Sequence, residues 1–226
     1  FKEIWRFGNY YGIFWIGVDV FSPGKSRFFW LAVFDVAVGC GDGILGQKLT
    51  REKNCRVSGF DLDGVAVTAA KSRGLKAIVA DANIKFPFAK NDFDIVIANG
   101  ILEFMTDPDF TVSEVLRVGR SAIIGFENFG FWIYRIEHLL GRFPEFALYG
   151  HRWWETSLIK FFSLADFLAL PALLPAEVMR LECLNWRGKE KSLLSRLSPN
   201  LFGRTCIIEL TRKRKPGKSV SSALRQ

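Results

Sequence analysis

A glycine-rich loop, Gly39-Cys40-Gly41-Asp42-Gly43, follows an apolar run and precedes a stretch of helical sequence. Residues 30–38 form the run and are mostly β-branched or aromatic, which is typical of a buried strand. Residues 44–53 are predicted to form the helix. Glycine allows positive φ and close approach to a ligand, and a helix N-terminus presents free N–H groups and a positive dipole end. The loop therefore predicts a site for an anionic or zwitterionic ligand.

The same alternation of strand and helix continues along the chain. Apolar segments of strand length follow one another at intervals that leave room for helices. This alternation predicts parallel βαβ units in an α/β fold, and nearly continuous apolar segments are typical of strands buried on both faces. The predicted strands are residues 55–60, 76–80, 93–99, 121–126, 178–186 and 205–211, and the predicted helices are residues 64–73, 108–117 and 163–170.

Polar residues stand where the predicted strands end. Asp61, Asp81 and Asn99 come at the ends of the second, third and fourth strands. Ligands of open α/β sheets bind at the carboxyl ends of the strands, so these side chains are predicted to lie beside the glycine loop. Asp63 is predicted instead to cap the helix that begins at Gly64.

Two families of nucleotide-binding site fit this loop. The spacing Gly41-x-Gly43-x-x-Gly46, with Asp61 twenty residues after Gly41, matches the dinucleotide-binding fingerprint. The glycine loop of class I S-adenosylmethionine-dependent methyltransferases fits as well, with Asp61 on the ribose hydroxyls. Later segments resemble the methyltransferase motifs in order and spacing and favour that family. They are Phe86-Pro87-Phe88, residues 92–99, Leu102-Glu103-Phe104 and residues 114–118.

The resemblance to class I methyltransferases implies a fold and a cofactor. It implies an α/β, Rossmann-like fold with a mostly parallel seven-stranded sheet and helices on both faces. It also implies S-adenosyl-L-methionine as the cofactor, with the glycine loop at the methionine part and Asp81 near the adenine amino group. The residues expected to bind the cofactor are Gly39, Cys40, Gly41, Gly43, Asp61, Leu62, Asp81, Ala82 and Asn99.

Within that superfamily, the sequence resembles the MetW family of methionine-biosynthesis proteins. This resemblance implies one of two functions. The first is a methyltransferase with a small-molecule acceptor, and the second is a non-catalytic accessory protein that partners a homoserine O-acyltransferase. The segments that carry the resemblance are residues 39–43 (GCGDG), 116–124 (LRVGRSAII), 127–132 (ENFGFW), 153–156 (WWET) and 162–167 (FSLADF).

Departures from the family pattern keep both functions open. The superfamily has an acid two residues before the first glycine, where this chain has Ala37, and Asp35 lies two residues farther away. Two strand residues correspond to about 7 Å. Either a two-residue bulge brings Asp35 to the position of the usual acid, or the cofactor lacks this partner. Phe104, Leu158 and Lys160 also replace histidine or asparagine residues of the pattern.

The sequence offers no convincing catalytic base. His151, Glu103 and Glu127 are candidates by position alone. His138 lies in an apolar helical stretch and is expected to be structural. The aromatic residues of 129–154 are expected to form core, with an aromatic cage for a sulfonium or amine as the open alternative.

Charge and composition limit the binding partners and the cellular location that are expected. The net charge is +8, and residues 212–226 carry six basic residues and no acid, which predicts a flexible basic tail rather than a nucleic-acid-binding face. The longest stretch without a charged residue, Phe7–Val18, has 12 residues, whereas a membrane span needs about 20. The four cysteines have neither a CxxC pair nor zinc spacing. Reduced thiols, no bound metal and a cytoplasmic location are therefore expected.

The chain is predicted to form one domain with two flanking segments. Residues 1–27 are an irregular aromatic-rich segment, and residues 212–226 are the basic tail. Residues 28–211 form the methyltransferase-like domain, in which residues 127–162 are predicted to be an aromatic insertion over the acceptor side.

Overall fold

The computed structural model describes residues 34–144, 159–185 and 193–213. These residues form an α/β fold in which a sheet is flanked by helices, and a short 3-10 helix covers Leu102–Phe104. The strands are β1 Phe34–Val38, β2 Arg56–Asp61, β3 Lys76–Val79, β4 Phe93–Asn99, β5 Gly119–Glu127, β6 Ala176–Leu184 and β7 Thr205–Arg212. The α-helices are α1 Ile44–Lys53, α2 Gly64–Ser72, α3 Pro108–Val118, α4 Trp132–Leu139, α5 Leu164–Leu173, α6 Leu193–Leu197 and α7 Pro199–Phe202.

The sheet is mixed and has the strand order β3-β2-β1-β4-β5-β7-β6. The first five strands of the chain pair with one another in parallel. Strand β7 enters between β5 and β6 and is antiparallel to both. The carboxyl ends of β1 to β5 therefore share one edge of the sheet, and the amino end of β7 arrives at that same edge.

The backbone register of β1 resolves the position of Asp35. Residues 34–38 pair without interruption with residues 56–60 of β2. Residues 35–38 pair in the same unbroken way with β4. A bulge would place two residues opposite one on a neighbouring strand, and neither register contains one. The bulge alternative is therefore excluded, and Asp35 stays in mid-strand, four residues before Gly39.

Alternate residues of the central strands enter two separate cores. Ile95 and Ile97 of β4 belong to a core that includes the buried face of α1 and α2. Val96 and Ala98 belong to a second core, which includes residues of α3 and α5. Because strand side chains alternate between faces, these two cores lie on opposite faces of the sheet.

Local capping explains where several helices begin. Asp63 caps α2 as predicted, because its Oδ1 accepts a hydrogen bond from the Val65 N–H at 2.8 Å. Ser163 and Asp166 form a capping box at the start of α5. Asp107 occupies the N-cap position of α3, but its side chain makes no capping hydrogen bond. Its carbonyl oxygen accepts from the Thr111 N–H at 3.0 Å instead.

Some of the predicted segments lie outside the described residues. These are residues 1–27 and, in the predicted tail, everything after Lys213. Arg212 itself ends β7, so the folded part extends past the predicted boundary at 211. Within the described ranges, no helix is both long enough and apolar enough to cross a bilayer.

Candidate functional site

The predicted ligand-binding residues meet at the carboxyl edge of the sheet. Val38, the last residue of β1, pairs with Phe60 on one side and Ala98 on the other. Asp61 therefore ends β2 level with the start of the glycine loop, and Asn99 ends β4 at the same level. Asp81 follows β3, whose last residue Val79 pairs with Asp61. The strand ends thus gather side chains that are separated by up to sixty residues in the sequence.

The glycine loop makes a tight turn from β1 into α1. Gly39, Gly41 and Gly43 have φ values of 64°, 52° and 83°, a region that side chains disfavour. Gly43 also has no room for a Cβ, which would lie 2.8 Å from the Cα of Ala70. A Cβ on Gly41, in contrast, would meet no atom within 4 Å. Gly43 therefore fixes the packing of the loop against α2, while the space at Gly41 is open.

Asp61 connects the loop to the second strand. Its Oδ2 accepts a hydrogen bond from the Gly41 N–H at 2.8 Å, and its Oδ1 accepts one from the Asp63 N–H at 3.0 Å. An ionised carboxylate offers about four acceptor sites, so capacity remains for hydroxyl donors of a ligand. The neighbouring Leu62 is 68% exposed and adds an apolar surface beside this carboxylate.

Asp81 and Ala82 form the next part of the edge. The Oδ1 of Asp81 accepts from the backbone N–H of Asn83 at 2.8 Å and from its side-chain amide at 3.0 Å. Ala82 is buried. The Asn83 side chain in turn accepts from the Thr106 N–H at 2.8 Å, which ties this loop to the segment that follows β4.

Asn99 lies against β5 at the same edge. A Cβ on Gly125 would come within 2.0 Å of the Asn99 Oδ1, so the glycine makes room for this side chain. The next residue, Gly100, has a φ of 63° and donates its N–H to the Gly125 carbonyl at 2.8 Å. The Asn99 side chain therefore packs over Gly125 of β5.

Cys40 is a buried thiol inside the loop. Its Sγ donates to the Gly41 carbonyl at 3.7 Å. Burial first, and then the nearby Asp61 charge, raise the pKa of this thiol to about 11. Cys40 is thus a neutral thiol at neutral pH and a poor nucleophile.

The catalytic candidate Glu127 is held by three donors. Its carboxylate accepts from the Tyr134 hydroxyl, from Arg204 Nε at 2.7 Å and from Thr205 Oγ1 at 3.2 Å. Burial and the Glu127 charge raise the pKa of the Tyr134 hydroxyl well above its ordinary value. The carboxylate joins the end of β5 to α4 and to the start of β7. These contacts support a structural ion pair, which we call the Glu127 cluster (Glu127, Tyr134, Arg204 and Thr205).

The catalytic candidate Glu103 is buried below the same edge. Its Oε1 accepts from the Glu127 N–H at 3.0 Å, and its backbone carbonyl accepts from the Lys160 N–H at 2.6 Å. Lys160 also donates its Nζ to the Thr106 carbonyl at 2.7 Å. Glu103 therefore joins the segment after β4 to the end of β5 and to residue 160.

The aromatic series divides into a buried part and a surface part. Phe131 and Tyr134 are buried, as expected for core residues. The rings of Phe129, Phe143 and Phe161 pack on one another with centroids 4.8–6.0 Å apart. Because a cation in an aromatic cage needs space between the rings, each within about 6 Å of it, this mutual packing does not support a cage among these residues.

Of the two histidines, His138 lies within the described residues and His151 lies outside them. His138 lies on α4, where its ring contacts Phe129 and Phe143 with centroids 5.1 and 5.3 Å apart. This position agrees with the expected structural role. His151 lies outside the described residues, as do the aromatic residues Trp153 and Trp154. In the part of the chain that is described, no group of His, Cys, Asp and Glu is arranged to hold a metal ion.

Sequence reasoning missed two residues that organise the edge of the sheet around β5 and β7. Asn128 is fully buried, and its Oδ1 accepts from the Gly130 and Leu164 N–H groups at 3.0 and 2.8 Å. Its Nδ2 donates to the Gly203 carbonyl at 2.7 Å. Arg204 directly precedes β7 and pairs with Glu127. Asn128 lies in the segment 127–132 that resembles the family, but the resemblance assigns it no role. Apart from the Gly130 N–H, the partners of both residues are distant along the chain.

The comparisons with sequences identify related proteins. A model of the family described as "Methionine biosynthesis protein MetW" matches residues 32–210. The "Bifunctional methionine biosynthesis protein MetXA/MetW" of Rhodopirellula baltica is 31% identical over 143 residues, which are 57% of this chain and 22% of that protein. The match therefore spans less than a quarter of the relative's length.

The comparisons with solved structures concern the fold. A Thermotoga maritima protein described as a "SAM-dependent methyltransferase, possible histamine N-methyltransferase" has a TM-score of 0.65 and 17% identity, with 94% of this chain and 95% of that chain covered. The magnesium protoporphyrin IX methyltransferase of Synechocystis PCC 6803, solved with bound SAH, has a TM-score of 0.57 and 15% identity, with 92% and 83% covered. The predicted Rossmann-like methyltransferase fold is confirmed.

Proposed function

The chain belongs to the MetW family of methionine biosynthesis proteins, and from this premise we propose that it is an S-adenosylmethionine-dependent methyltransferase with a small-molecule acceptor. The observation that carries the proposal is the hydrogen bond between Asp61 Oδ2 and the Gly41 N–H. It joins the ribose-binding acid to the glycine loop at the edge where such sheets bind ligands.

The residues present suit the chemical parts of this cofactor. Asp61 has acceptor capacity for two ribose hydroxyls, and exposed Leu62 supplies an apolar contact for the adenine ring. Asp81 offers an acceptor for the adenine amino group. The open space at Gly41 leaves room for the methionine part of the cofactor. With Asp35 held in mid-strand, the ribose and adenine parts have better support than the methionine amino group.

Catalysis at this site rests on binding and orientation. When bound, the cofactor supplies a sulfonium methyl group that is already electrophilic, so the protein's work is to align an acceptor with it. The Glu127 cluster and Glu103 hold the ends of β4 and β5 in fixed positions beside the glycine loop. Cys40 remains protonated there, so the loop carries no competing thiolate. A general base is needed only for an acceptor that arrives protonated. Of the three candidates, Glu103 and Glu127 are engaged in the structural contacts described above, and His151 lies outside the described residues.

Calorimetric titration of S-adenosylmethionine and S-adenosylhomocysteine into the purified chain tests the proposal. The Asp61→Ala variant should bind about 10–100-fold more weakly, because one or two hydrogen bonds to a charged acceptor are lost. Asp63→Ala is the matched control, since it removes a carboxylate from the same loop but affects only the cap of α2. A well-folded wild-type chain that binds neither compound would refute the proposal.

A second candidate is a non-catalytic accessory protein that partners a homoserine O-acyltransferase. The observation that favours it is the bifunctional relative, whose name joins MetXA and MetW in one protein. The absence of a bulge in β1 also supports it, because the chain lacks the first-motif acid. Co-expression with an acyltransferase followed by size-exclusion chromatography should then yield a stable complex. A chain that stays alone and transfers methyl groups would count against this candidate.

A further inference from the structure

Two cysteines face each other across the antiparallel strand pair β6 and β7 at the edge of the sheet. Strands β6 and β7 are antiparallel, and their register places Cys183 opposite Cys206. The two sulfur atoms lie 3.0 Å apart although the residues are separated by 23 positions in the sequence. Strand β6 is the last strand of the sheet order, so this pair joins an edge strand to its single neighbour.

The backbone geometry fits a disulfide bond. Directly opposed residues of an antiparallel pair have Cα atoms about 4.5–5.5 Å apart, and disulfides span about 4.4–6.8 Å. Side-chain rotation is therefore enough to bring the two sulfurs into bonding distance. Gly203 keeps the space beside this pair free, since a Cβ there would lie 2.6 Å from the Cys183 Cβ.

The two thiols differ in their access to solvent. Cys183 is partly exposed, whereas Cys206 is 0% exposed. The hydrogen bond with Cys183 and burial both raise the pKa of the Cys206 thiol far above its ordinary value. A dissolved oxidant therefore meets Cys183 first, and Cys206 stays a thiol until a reactive sulfur is placed beside it.

We propose that Cys183 and Cys206 are a modification site that forms a reversible disulfide on reaction with a low-molecular-weight disulfide such as oxidised glutathione. Cys183 loses its proton and attacks the oxidant, which forms a mixed disulfide and releases one small thiol. Cys206 then loses its proton, attacks the Cys183 sulfur and releases the second small thiol. Two protein thiols are oxidised and one small disulfide is reduced, so atoms and electrons balance.

The position of this pair connects it to the acceptor side of the proposed site. Cys206 directly follows Arg204 and Thr205, which both bond the Glu127 carboxylate. Cys206 also pairs with Phe126 of β5, next to Glu127. Closure of the disulfide thus fastens β6 to the strand that anchors the Glu127 cluster. The proposal does not depend on methyl transfer and applies equally to an accessory protein.

The test incubates the full chain in glutathione buffers of increasing oxidised fraction. Free thiols are then alkylated, and the peptides are identified by mass spectrometry. We expect a Cys183–Cys206 peptide with two hydrogen atoms fewer, which reverts in excess reduced glutathione. The thermal midpoint should rise by about 7–14 °C, because the cross-link restricts the unfolded chain.

Single substitutions distinguish attack by Cys183 followed by closure with Cys206 from oxidation of other cysteines. Cys206→Ser should accumulate a glutathione adduct on Cys183, whereas Cys183→Ser should show neither adduct nor midpoint shift. Cys55→Ala is the control for a buried thiol elsewhere and should still form the disulfide. A stable adduct on wild-type Cys183, a cross-link between two chains, or closure without a midpoint shift would each overturn the proposal. Should Cys206→Ser fail to fold, the Cys183→Ser comparison alone decides.

Discussion

The Glu127 cluster makes a quantitative prediction about stability. Glu127 is buried, and the side chain of its partner Arg204 is 24% exposed. In Glu127→Gln, Arg204 keeps a mostly buried charge but loses its ionic partner. Removing one partner of a buried ion pair lowers the free energy of unfolding by about 3–5 kcal/mol. Because Arg204 is partly exposed, the expected loss is at the lower end, about 3 kcal/mol. The perturbation should not change cofactor affinity, because the glycine loop and Asp61 make no contact with this carboxylate.

The measurement is urea unfolding followed by circular dichroism, with cofactor titration on the same preparations. Tyr134→Phe should cost less, about 1.5–3 kcal/mol, because it removes one hydrogen bond to the carboxylate and leaves the ion pair. Glu182→Gln is the matched control, since Glu182 pairs with Arg180 in a more exposed position and should cost less than about 1 kcal/mol. A double-mutant cycle with Arg204→Met isolates the coupling between the two charges.

Two results would refute the reasoning about Glu127. The first is a loss below about 1 kcal/mol in Glu127→Gln, which would mean that solvent replaces the ion pair. The second is a variant of unchanged stability that no longer transfers methyl groups or binds cofactor. That second result would return Glu127 to the role of a general base or ligand-binding residue.

Two further predictions concern the loop and the helix α3. Gly43→Ala should lower the free energy of unfolding by about 2–5 kcal/mol through positive φ and overpacking. The control Gly74→Ala, at a residue with φ of 87° and open space, should lower it by about 1–2 kcal/mol. Equal losses in thermal unfolding would contradict the crowding at Gly43. Burial raises the pKa of the Glu114 carboxyl, but hydrogen bonds from Arg117 and a backbone N–H outweigh burial and lower it below the ordinary value. A carboxyl whose pKa is lower in the folded state stabilises the fold at pH values above its unfolded pKa, and this stabilisation is lost as the pH falls through the folded pKa. Glu114→Gln should therefore lower the free energy of unfolding by about 1–3 kcal/mol at neutral pH and by almost nothing in strong acid. Urea titrations at both pH values, with Asp109→Asn on the exposed face of α3 as control, measure this, and a pH-independent loss would contradict it.

The part of the candidate site around the glycine loop was predictable because its signals are local. The strand, the alternating glycines and the helix follow one another within residues 34–53, and Asp61 ends the next strand. The cap at Asp63 was also predictable, since a capping residue and its target N–H are two positions apart. Such features depend on backbone conformation and short spacings, which a sequence displays directly.

The contacts around the ends of β5 and β7 were not predictable from the same reasoning. The helical stretch around His138 was expected without bounds, and the structure gives them as Trp132–Leu139 of α4. The role of Arg204 was missed because its partner Glu127 lies 77 residues away. Asn128 likewise satisfies its amide through residues 36 and 75 positions distant. These interactions exist only once the sheet has assembled.

The antiparallel entry of β7 has a consequence for the order in which the molecule can fold. The sub-sheet β3-β2-β1-β4, with the glycine loop and Asp61, is drawn entirely from residues 34–99. A chain still being synthesised can therefore complete this half before residue 204 has left the ribosome. The ion pair of Glu127 has to wait for β7, since strand pairings between distant residues close late. A chain interrupted before Arg204 would thus contain every strand around the glycine loop, while Glu127 at the end of β5 lacked its ionic partner.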